Sequence, residues 1–560
     1  MNKPNLIIRN GQVIDGTGRP SFRADIAVSG DRIAKIGYVP EVEGAKVIDA
    51  GGMAVSPGFI ELHTHYDTQL TWDRKASPAA KHGVTTVVAG GCSLSLAPVL
   101  PSTKQRISDI FYKIEDLRSE YFEAAVPYSW ESFKQYLEFI TPGLGINVAP
   151  VVGHSALRLY VMGADAQKRA ATPQERDAMA SILRESLEAG GVGLSSCYEH
   201  LHDEFDQPMP AAYADWEERL ALARVCAETG RHWVQFSIDP IQTDIRLREM
   251  AQLADLSRLS GASVSALGMF QLPGNDDWKH ELDFMASNQQ YAGRFSVQVP
   301  TAPVDQWFQF SKQFNVMNFV PKWAEIMLKP LDERRKIFKE LLTDKAARAA
   351  LHEDGEASGV GFQLANLRVS TVFAEENRQY SGKRLIEIAE AEGRSYTDVM
   401  IEIADRDDLD ATFDLVGALH ADDDAVPAMI MHPNAQIGGS DAGAHIYQMA
   451  GEGDMTYMLQ HWVRTRGKVS LEAAVKRVTS DLARDVGLKQ RGTVAEGNFA
   501  DLTIFDPGTI TRGMQTPVED VPGGGLRFVR PVTGIDTTII NGQVAVSGGE
   551  YTGVNSGALV

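Results

Sequence analysis

Two histidines spaced two apart carry the clearest chemistry in this chain. His63 and His65 follow the apolar segment Phe59 to Leu62, and Pro57 and Gly58 mark the turn before it. A β-strand places residues two apart on the same side, so both imidazoles are expected to point together at its C-terminal end. Two neutral imidazoles in this arrangement suit a divalent transition metal such as zinc. The alternative is a polar pair whose members each hydrogen-bond a buried partner.

Composition limits the kinds of protein this can be. The chain has 560 residues, of which 44% are hydrophobic and 23% charged, typical of several globular domains or one large α/β barrel. Its formal charge of −20 argues against nucleic acid or an anionic membrane surface as a partner. Cys92, Cys197 and Cys226 lack the spacing of a disulfide framework, and no apolar stretch of about 18 residues occurs. We therefore expect a cytoplasmic protein with a small-molecule substrate; whether it forms a homo-oligomer stays open.

The middle of the chain alternates strand and helix patterns. Helical periodicity is clear over residues 172–189 and 215–229. Eight segments are predicted to be barrel strands: 59–65, 83–92, 146–154, 191–197, 232–238, 262–268, 294–299 and 435–441. Eight strands with intervening helices predict an α/β fold of the TIM (β/α)8 barrel type. The long interval of about 303–430 is rich in helix formers and is predicted to be a helical insertion between strands seven and eight.

Both chain ends carry short alternating strands separated by glycine turns. Near the N-terminus, Asn10-Gly is expected to separate one strand, Leu6 to Arg9, from a second, Gln12 to Asp15. The same pattern of short strands and glycine turns is found from Gly492 onward. Because chain termini usually lie close together, we predict one small β-sandwich made from both ends. The predicted domains are 1–55 and 481–560 for the two parts of the sandwich, and 56–480 for the barrel.

Polar residues at the predicted strand ends could converge, because barrel active sites gather at the C-terminal face. Cys92 ends strand two, His154 strand three, Cys197 strand four and Asp441 strand eight. Asp441 could bind metal through one oxygen and take a proton from the attacking water with the other. Its alternative is a helix N-cap or a turn aspartate. For His154 the alternative is a hydrogen-bonded loop histidine.

Five segments of the chain have a characteristic sequence. They are Pro57-Gly-Phe-Ile-Glu-Leu-His-Thr-His-Tyr-Asp, His82-Gly-Val-Thr-Thr-Val-Val-Ala-Gly-Gly-Cys-Ser-Leu-Ser-Leu-Ala-Pro, Gly153-His-Ser-Ala-Leu-Arg, Gly439-Ser-Asp-Ala-Gly-Ala-His and Gly492-Thr-Val-Ala-Glu-Gly-Asn-Phe-Ala-Asp-Leu. On these segments the chain resembles the amidohydrolase superfamily, in the branch that contains D-aminoacylase and the N-acyl-D-amino-acid deacylases. The resemblance runs along nearly the whole chain, and the cysteine segment is the one more specific to this branch.

The resemblance implies both a fold and a reaction. It implies a distorted β/α barrel beside a β-sandwich made from both chain ends, with a metal on His63 and His65. Cys92 would be a further ligand, where other superfamily members use a carboxylated lysine, although a buried free cysteine is the alternative. Asp441 would act as the general base and then protonate the leaving amine. The implied enzyme is a metal-dependent hydrolase, with zinc the expected metal, that cleaves the C–N bond of an N-acylated amine or amino acid.

The chain departs from this family at strands five and six. The deacylases end strand five with His-x-Arg and strand six with Ser-His, whereas this chain has Gln235 and Ser237 on strand five and Ala266 on strand six. Two ligands of a second metal are therefore missing, and we expect one ion, held by His63, His65 and Asp441, with Cys92 as an optional fourth ligand. Loss of the arginine also weakens the case for an ordinary N-acyl-amino-acid substrate, because a bidentate carboxylate partner is missing.

Substrate contacts are predicted near the strand ends, at His154, Tyr198, His200, Gln235 and His445. His200 lies just past strand four in an acidic segment, for which a solvated loop is the alternative. Aromatic residues close to several strand ends suggest an apolar or aromatic substrate. Two other functions stay open: a metal-assisted lyase or isomerase on the same barrel, and a metal-free binding or scaffold relative.

Overall fold

A computed structural model describes residues 3–115, 117–199, 201–203, 207–231, 233–240, 242–272, 275–288, 295–312, 316–358, 361–417 and 419–560. Within these ranges the fold class predicted from the sequence is confirmed: an eight-stranded parallel sheet with flanking helices forms a nearly closed barrel beside a second, strand-rich sheet. None of the described helices combines the length and the apolar composition that crossing a membrane requires.

The first strands belong to the strand-rich sheet. They are β1 (Leu6–Val13), β2 (Phe22–Ser29), β3 (Arg32–Gly37), β4 (Lys46–Asp49) and β5 (Ala54–Pro57). The two strands predicted on either side of Asn10-Gly are in fact the single strand β1, so that prediction was wrong. Asn10 has a φ of 60°, and the register with β2 shifts between Ile8 and Gly11. The Asn-Gly pair therefore marks a β-bulge rather than a hairpin turn.

Eight parallel strands make the barrel. They are β6 (Phe59–Thr64), β7 (Val84–Ala89), β8 (Asn147–Gly153), β9 (Gly193–Cys197), β10 (Trp233–Ser237), β11 (Ser263–Leu267), β12 (Phe295–Val299) and, after an insertion, β16 (Ala435–Ile437). Neighbouring strands pair in this order, which leaves β6 and β16 at the two edges of the sheet. The edges meet just beyond the strands, where the His65 amide donates to the Ala442 carbonyl at 2.8 Å. This junction brings the first and last strand ends together.

Helices cover the outside of the barrel up to strand β12. They are α1 (Tyr66–Gln69), α2 (Lys104–Glu115), α3 (Ser119–Ala125), α4 (Phe133–Ile140), α5 (His154–Met162), α6 (Pro173–Glu188), α7 (Trp216–Glu228), α8 (Thr243–Ser260) and α9 (Asp277–Ser287). The two helices expected from periodicity are α6 and α7. Thr172 caps α6 by accepting from the Glu175 amide, and Asp215 caps α7 by accepting from Glu218, which fixes where both helices begin.

The insertion before β16 is a unit with its own core. It contains β13 (Gln306–Phe308), α10 (Pro321–Met327), α11 (Leu331–Leu341), α12 (Lys345–Ala357), α13 (Gly361–Asn366), β14 (Arg368–Thr371), α14 (Leu385–Glu392), α15 (Tyr396–Arg406), β15 (Thr412–Leu415) and α16 (Ala425–Ile430). Its strands form a three-stranded antiparallel sheet, and Phe310, Trp323, Phe338 and Phe413 pack in a hydrophobic cluster separate from that of the barrel. The segment is therefore helical, as predicted, with a small sheet in addition.

The last part of the chain returns to the first sheet. After α17 (Asp454–Tyr457), a π-helix (Met458–Thr465), α18 (Leu471–Arg477) and α19 (Ser480–Val486) come β17 (Leu502–Phe505), β18 (Thr511–Arg512), β19 (Thr516–Val521), β20 (Gly525–Val529), β21 (Val532–Thr533), β22 (Ile535–Ile540), β23 (Gln543–Ser547) and β24 (Glu550–Tyr551). β17 pairs with β5 and β22, so both chain ends share one sheet. The β19–β20 hairpin leaves this sheet and reaches the barrel, where the Phe528 amide donates to the Ile446 carbonyl at 2.9 Å.

Candidate active site

The two histidines of the first barrel strand lie together, as their spacing predicts. His63 is on β6, and His65 stands one residue beyond its end, at the start of α1. Both are buried, and their rings meet edge to face with centroids 5.3 Å apart. The Nδ1 atom of His63 has no hydrogen-bond partner among the described residues. The Nε2 atoms of both rings face one common space, which is typical of metal-binding histidines.

Cys92 joins these histidines from the loop after β7. Its Sγ lies 3.4 Å from His63 Nε2, and one ligand atom from each of Cys92, His63 and His65 lies within 4.8 Å of the others. The backbone is strained to achieve this, since Cys92 has a φ of 49°. The preceding residue must be small: a Cβ on Gly91 would lie 2.7 Å from His63 Nε2 and 3.1 Å from His65 Nε2. Gly91 therefore keeps open the space in front of both nitrogens.

Asp441 reaches the same place from the last barrel strand. It lies four residues beyond the end of β16 rather than at the strand end, with a φ of 50°. Its Oδ1 is 3.2 Å from His63 Nε2 and 3.7 Å from His65 Nε2. The side chain retains 23% exposure, the highest of the four, so it faces the opening. The structure thus brings together all four residues predicted to hold the metal.

The electrostatics at Asp441 and Cys92 favour the ionised forms that bind metal. Burial opposes ionisation of Asp441, but His65 and His63 lower the pKa of its carboxyl well below the ordinary value. Burial likewise raises the pKa of the Cys92 thiol, yet the adjacent His63 brings that pKa down to about 7. Carboxylate and thiolate are thus accessible near neutral pH, and these are the states that coordinate a metal.

Glu115 is a further member of the site that sequence reasoning missed. It ends α2, is buried, and its Oε1 lies 2.9 Å from His65 Nδ1. Its other oxygen accepts from the His445 amide at 3.3 Å. Burial works to lower the pKa of His65, but the Glu115 carboxylate raises it well above the ordinary value. A carboxylate behind a metal-binding imidazole orients the ring and increases its basicity.

A cavity of about 350 Å³ opens in front of these residues. His65, Cys92, Glu115, Asp441 and His445 form one part of its wall. Most of the rest is apolar. The barrel strand ends and loops give Leu201, Ile238, Pro240, Leu267, Phe270 and Leu272, and the insertion gives Val304, Val316, Ala324, Leu328 and Leu419. Helix α2 adds Ile114, and the segment after Asp441 adds Met449. The insertion therefore covers the site and contributes part of its apolar surface.

The five residues predicted to contact substrate lie in different parts of the structure. His445 lines the cavity. Tyr198 lines a neighbouring polar hollow of about 630 Å³, where its hydroxyl donates to Gln252 Oε1 at 3.1 Å. His200 lies outside the described residues. Gln235 is fully buried inside the barrel, and neither atom of its amide has a hydrogen-bond partner in the described structure.

His154 lies at the end of β8, as predicted, but it does not line the cavity. It is the first residue of α5 and is fully buried, with Nδ1 2.9 Å from Ser196 Oγ and Nε2 2.8 Å from Glu218 Oε1. Arg158 donates to the same carboxylate at 2.6 Å. Both ring nitrogens thus have hydrogen-bond partners within the protein. The predicted substrate contact at His154 was wrong, and the alternative of a hydrogen-bonded histidine is correct.

On strand β11, the residue that faces the site differs from the predicted one. Ala266, expected at the place of a second-metal histidine, packs in the core between the barrel strands and the helices. The next residue, Leu267, pairs in register with Ser237 and lines the cavity. An apolar side chain therefore faces the site from β11, and neither residue binds a metal.

The residues present fit a divalent metal. Two imidazole nitrogens, a thiol of lowered pKa and a carboxylate form a donor set that zinc accepts, and Gly91 leaves the space between the donors clear. Such a set at the C-terminal face of a β/α barrel, beneath a covered apolar cavity, defines a metal-dependent hydrolase.

Comparison with known proteins gives the family. The amidohydrolase family model matches residues 46–546, and the chain belongs to this family. It is 27% identical to D-aminoacylase of Alcaligenes xylosoxydans xylosoxydans over 99% of this chain and 97% of that protein. It is 28% identical to the N-acyl-D-aspartate deacylase of the same organism, over 98% and 93% of the two chains.

Solved structures agree with this assignment. A D-aminoacylase structure superposes with a TM-score of 0.68 at 25% identity, covering 99% of both chains. The zinc and phosphonate complex of N-acyl-D-glutamate deacylase from Bordetella bronchiseptica gives 0.66 at 25% identity, covering 97% of both. The protein is thus a metal-dependent amidohydrolase that acts on carbon–nitrogen bonds other than peptide bonds.

Proposed function

We propose that this enzyme hydrolyses N-acylated amines or amino acids with an apolar acyl group, using a single metal ion, zinc. The observation that carries the proposal is the convergence of His63, His65, Cys92 and Asp441 at the wall of an apolar cavity. The relatives are named for deacylation of N-acyl-D-amino acids, which supports an acylated substrate.

The roles of the residues follow from their positions. A divalent metal held by the two histidines and Cys92 would polarise the scissile carbonyl and lower the pKa of water. Asp441 is the exposed carboxylate of the cluster and is ionised at neutral pH because its pKa is lowered. It accepts the proton of the attacking water and returns it to the departing nitrogen. Glu115 holds the His65 ring in orientation.

A single ion is favoured by what the rest of the barrel offers. Among the described residues, one cluster of three or more histidine, cysteine or acidic side chains has metal-binding spacing, and it is this one. Gln235 presents a neutral amide, and Leu267 presents no donor atom at all. The D-aminoacylase structure is described in terms of a binuclear centre with one-metal activation and second-metal attenuation. One ion is thus compatible with catalysis in a relative.

The acyl group is proposed to occupy the apolar part of the cavity. Burying an alkyl or aromatic group there gains roughly 25 cal/mol for each Å² removed from water. Walls such as Phe270, Val316 and Leu328 offer few hydrogen bonds, so a polar acyl group would lose its water without compensation.

The proposal is tested by metal analysis and product analysis together. Protein purified without chelator should contain about one equivalent of zinc and should release free carboxylic acid and free amine from N-acyl amides, faster as the acyl chain lengthens from acetyl to octanoyl. Asp441→Asn should retain most of the metal and lose about 10²- to 10⁴-fold in kcat.

Other outcomes discriminate against the proposal. Conversion of substrate without release of acid and amine would indicate a lyase or isomerase. Turnover by protein that contains no metal would contradict the assigned chemistry.

We further propose that the enzyme works in a reducing compartment, the cytoplasm. All three cysteines are buried and free, and Cys92 needs to stay reduced to serve as a ligand.

A further inference from the structure

A buried histidine connects the insertion to the barrel beside the cavity. His420 lies between β15 and α16, is fully buried, and has a φ of 58°. Its Nε2 is 2.7 Å from the carbonyl oxygen of Pro300, the residue directly after β12. The Gln271 amide, in the loop after β11, donates to its Nδ1 at 3.1 Å. One side chain of the insertion therefore binds the backbone beyond two barrel strands.

These hydrogen bonds fix the state of the ring. A carbonyl oxygen only accepts, so Nε2 of His420 carries the proton and donates to Pro300, and Nδ1 is the acceptor for the Gln271 amide. Burial lowers the pKa of His420 to about 4, so the ring is neutral near pH 7. Both nitrogens are thus paired in the one tautomer that the surroundings allow.

The backbone beside the ring strengthens the same connection. The His420 amide donates to the Gln271 carbonyl at 2.9 Å. The side-chain oxygen of Gln271 accepts from the Ala421 and Asp422 amides at 3.2 and 3.3 Å. Because all these groups are paired in a buried place, residues 420–422 are held firmly against the loop after β11.

The neighbours of both residues form part of the cavity wall. Phe270 and Leu272 flank Gln271, and both line the cavity from the barrel. Leu419, next to His420, lines it from the insertion. The Phe270 ring meets the His420 ring edge to face, with centroids 6.2 Å apart. The contacts of His420 therefore set the distance between a wall that belongs to the barrel and a wall that belongs to the insertion.

We propose that His420 is a positioning residue that determines how strongly the enzyme prefers a long acyl chain over a short one. It holds Leu419 and Phe270 at a fixed separation, so that a long chain contacts apolar atoms on both sides. A gap of even 0.5–1 Å would forfeit roughly a quarter to a half of the dispersion energy of each contact. The inference rests on the proposed function, because it takes the occupant of the cavity to be an acyl chain.

A chain-length comparison tests the proposal. The wild type should prefer N-octanoylglycine to N-acetylglycine in kcat/KM. His420→Phe keeps a ring but removes both of its hydrogen bonds, and should lower this preference about 10-fold, through KM rather than kcat. His420→Asn should retain most of the preference, because asparagine tolerates positive φ and its side-chain oxygen replaces Nδ1 as the acceptor.

The matched control is another histidine of the insertion. His352 lies on α12, where its Nδ1 is 3.1 Å from Thr397 Oγ1, and it does not line the cavity. His352→Phe should leave the preference for the octanoyl substrate unchanged. An equal fall in His352→Phe and His420→Phe would show a general loosening of the insertion and overturn the inference.

A binding measurement separates this inference from the proposed function. In an Asp441→Asn background, calorimetry should show tighter binding of octanamide than of butanamide, and His420→Phe should reduce that ratio about 10-fold. An unchanged ratio in folded His420→Phe protein would show a merely structural histidine. If the wild type hydrolyses neither substrate but the ratio still falls, the proposed function fails and the role of His420 stands.

A second variant keeps the test decisive if His420→Phe does not fold. Gln271→Met leaves the histidine in place and removes the acceptor for the Ala421 and Asp422 amides. The ratio of octanamide to butanamide affinity should fall in this variant too, because the same two walls are released. An unchanged ratio would contradict the inference.

Discussion

Buried histidines lie at two strand ends of the same barrel, and they differ in the hydrogen-bond partners of their ring nitrogens. After β8, His154 is paired through both nitrogens, with Ser196 and Glu218. At the end of β6, His63 faces Cys92 and Asp441, and its Nδ1 has no hydrogen-bond partner among the described residues. Both histidines are buried, so burial does not distinguish them.

The difference shows that position at a strand end does not by itself identify a catalytic histidine. His154 sits beside an ionised Glu218, which can only accept, so Nε2 donates to it and Nδ1 accepts from the Ser196 hydroxyl. Burial lowers the pKa of His154, which keeps the ring neutral in this role. Unlike His63, it has no nitrogen left for a ligand. We therefore expect the site around His63 to determine metal binding and activity, and the site around His154 to contribute to folding stability.

The largest difference between the two sites is expected when His63 and His154 are each replaced by alanine. His63→Ala should lose the metal and about 10³-fold or more in kcat/KM, because a metal in this role contributes several kcal/mol, with little change in unfolding free energy. His154→Ala should keep the metal but lose about 1.5–3 kcal/mol of stability, because the buried carboxylate of Glu218 loses the hydrogen bond from His154 while keeping its ion pair with Arg158. Elemental analysis and denaturant unfolding measure both; a stable, metal-free His154→Ala protein would contradict the comparison.

Acid should then unfold the protein partly through Glu218. Burial opposes its ionisation, but His154 and Arg158 lower the pKa of the carboxyl from 4.5 to about 2. A depressed pKa means that the stabilisation, about 3 kcal/mol, is complete above pH 4.5 and is lost as pH falls toward 2. Chemical denaturation across this range should show the slope in the wild type. Glu218→Gln is the control: its stability should be lower and flatter with pH, and an unchanged slope would exclude Glu218 as the source.

A smaller effect is expected at the carboxylate behind His65. Glu115→Gln retains an acceptor for His65 Nδ1 but removes the charge that raises the pKa of the ring. Metal affinity should fall about 10- to 100-fold, the usual cost of losing such a partner. Competition with a chromophoric chelator measures this. Glu120→Gln, on the exposed part of α3, should leave the affinity unchanged; equal losses in both variants would point to a general electrostatic effect.

The barrel and the convergence of the candidate metal ligands could be predicted because their signals are local. Eight apolar segments predict the strands, and the His-x-His spacing predicts that two imidazoles face the same space. Convergence of Cys92 and Asp441 follows from the rule that strand ends share one face of the barrel. The backbone detail could not be predicted, since both residues lie beyond the strand ends at positive φ.

The parts that sequence reasoning missed depend on packing between distant segments. Glu115 belongs to a helix whose end reaches the site only because α2 packs against the barrel. The available signal was a charged residue beside Ile114 in the last turn of an amphipathic helix. His154 was assigned wrongly because its partner, Glu218, lies 64 residues away on α7.

The smallest effect, and the sharpest test of the single-ion assignment, is expected at Gln235. Its buried amide has no hydrogen-bond partner among the described residues, so Gln235→Met removes an uncompensated polar group at nearly constant volume. Stability should be unchanged or higher by about 1 kcal/mol, and the metal content and kcat should stay as in the wild type. If the variant lost metal, the amide would be a ligand, and the centre would extend across the barrel from β6 to β10. Unchanged metal content with unchanged activity would confine the catalytic chemistry to the β6 side.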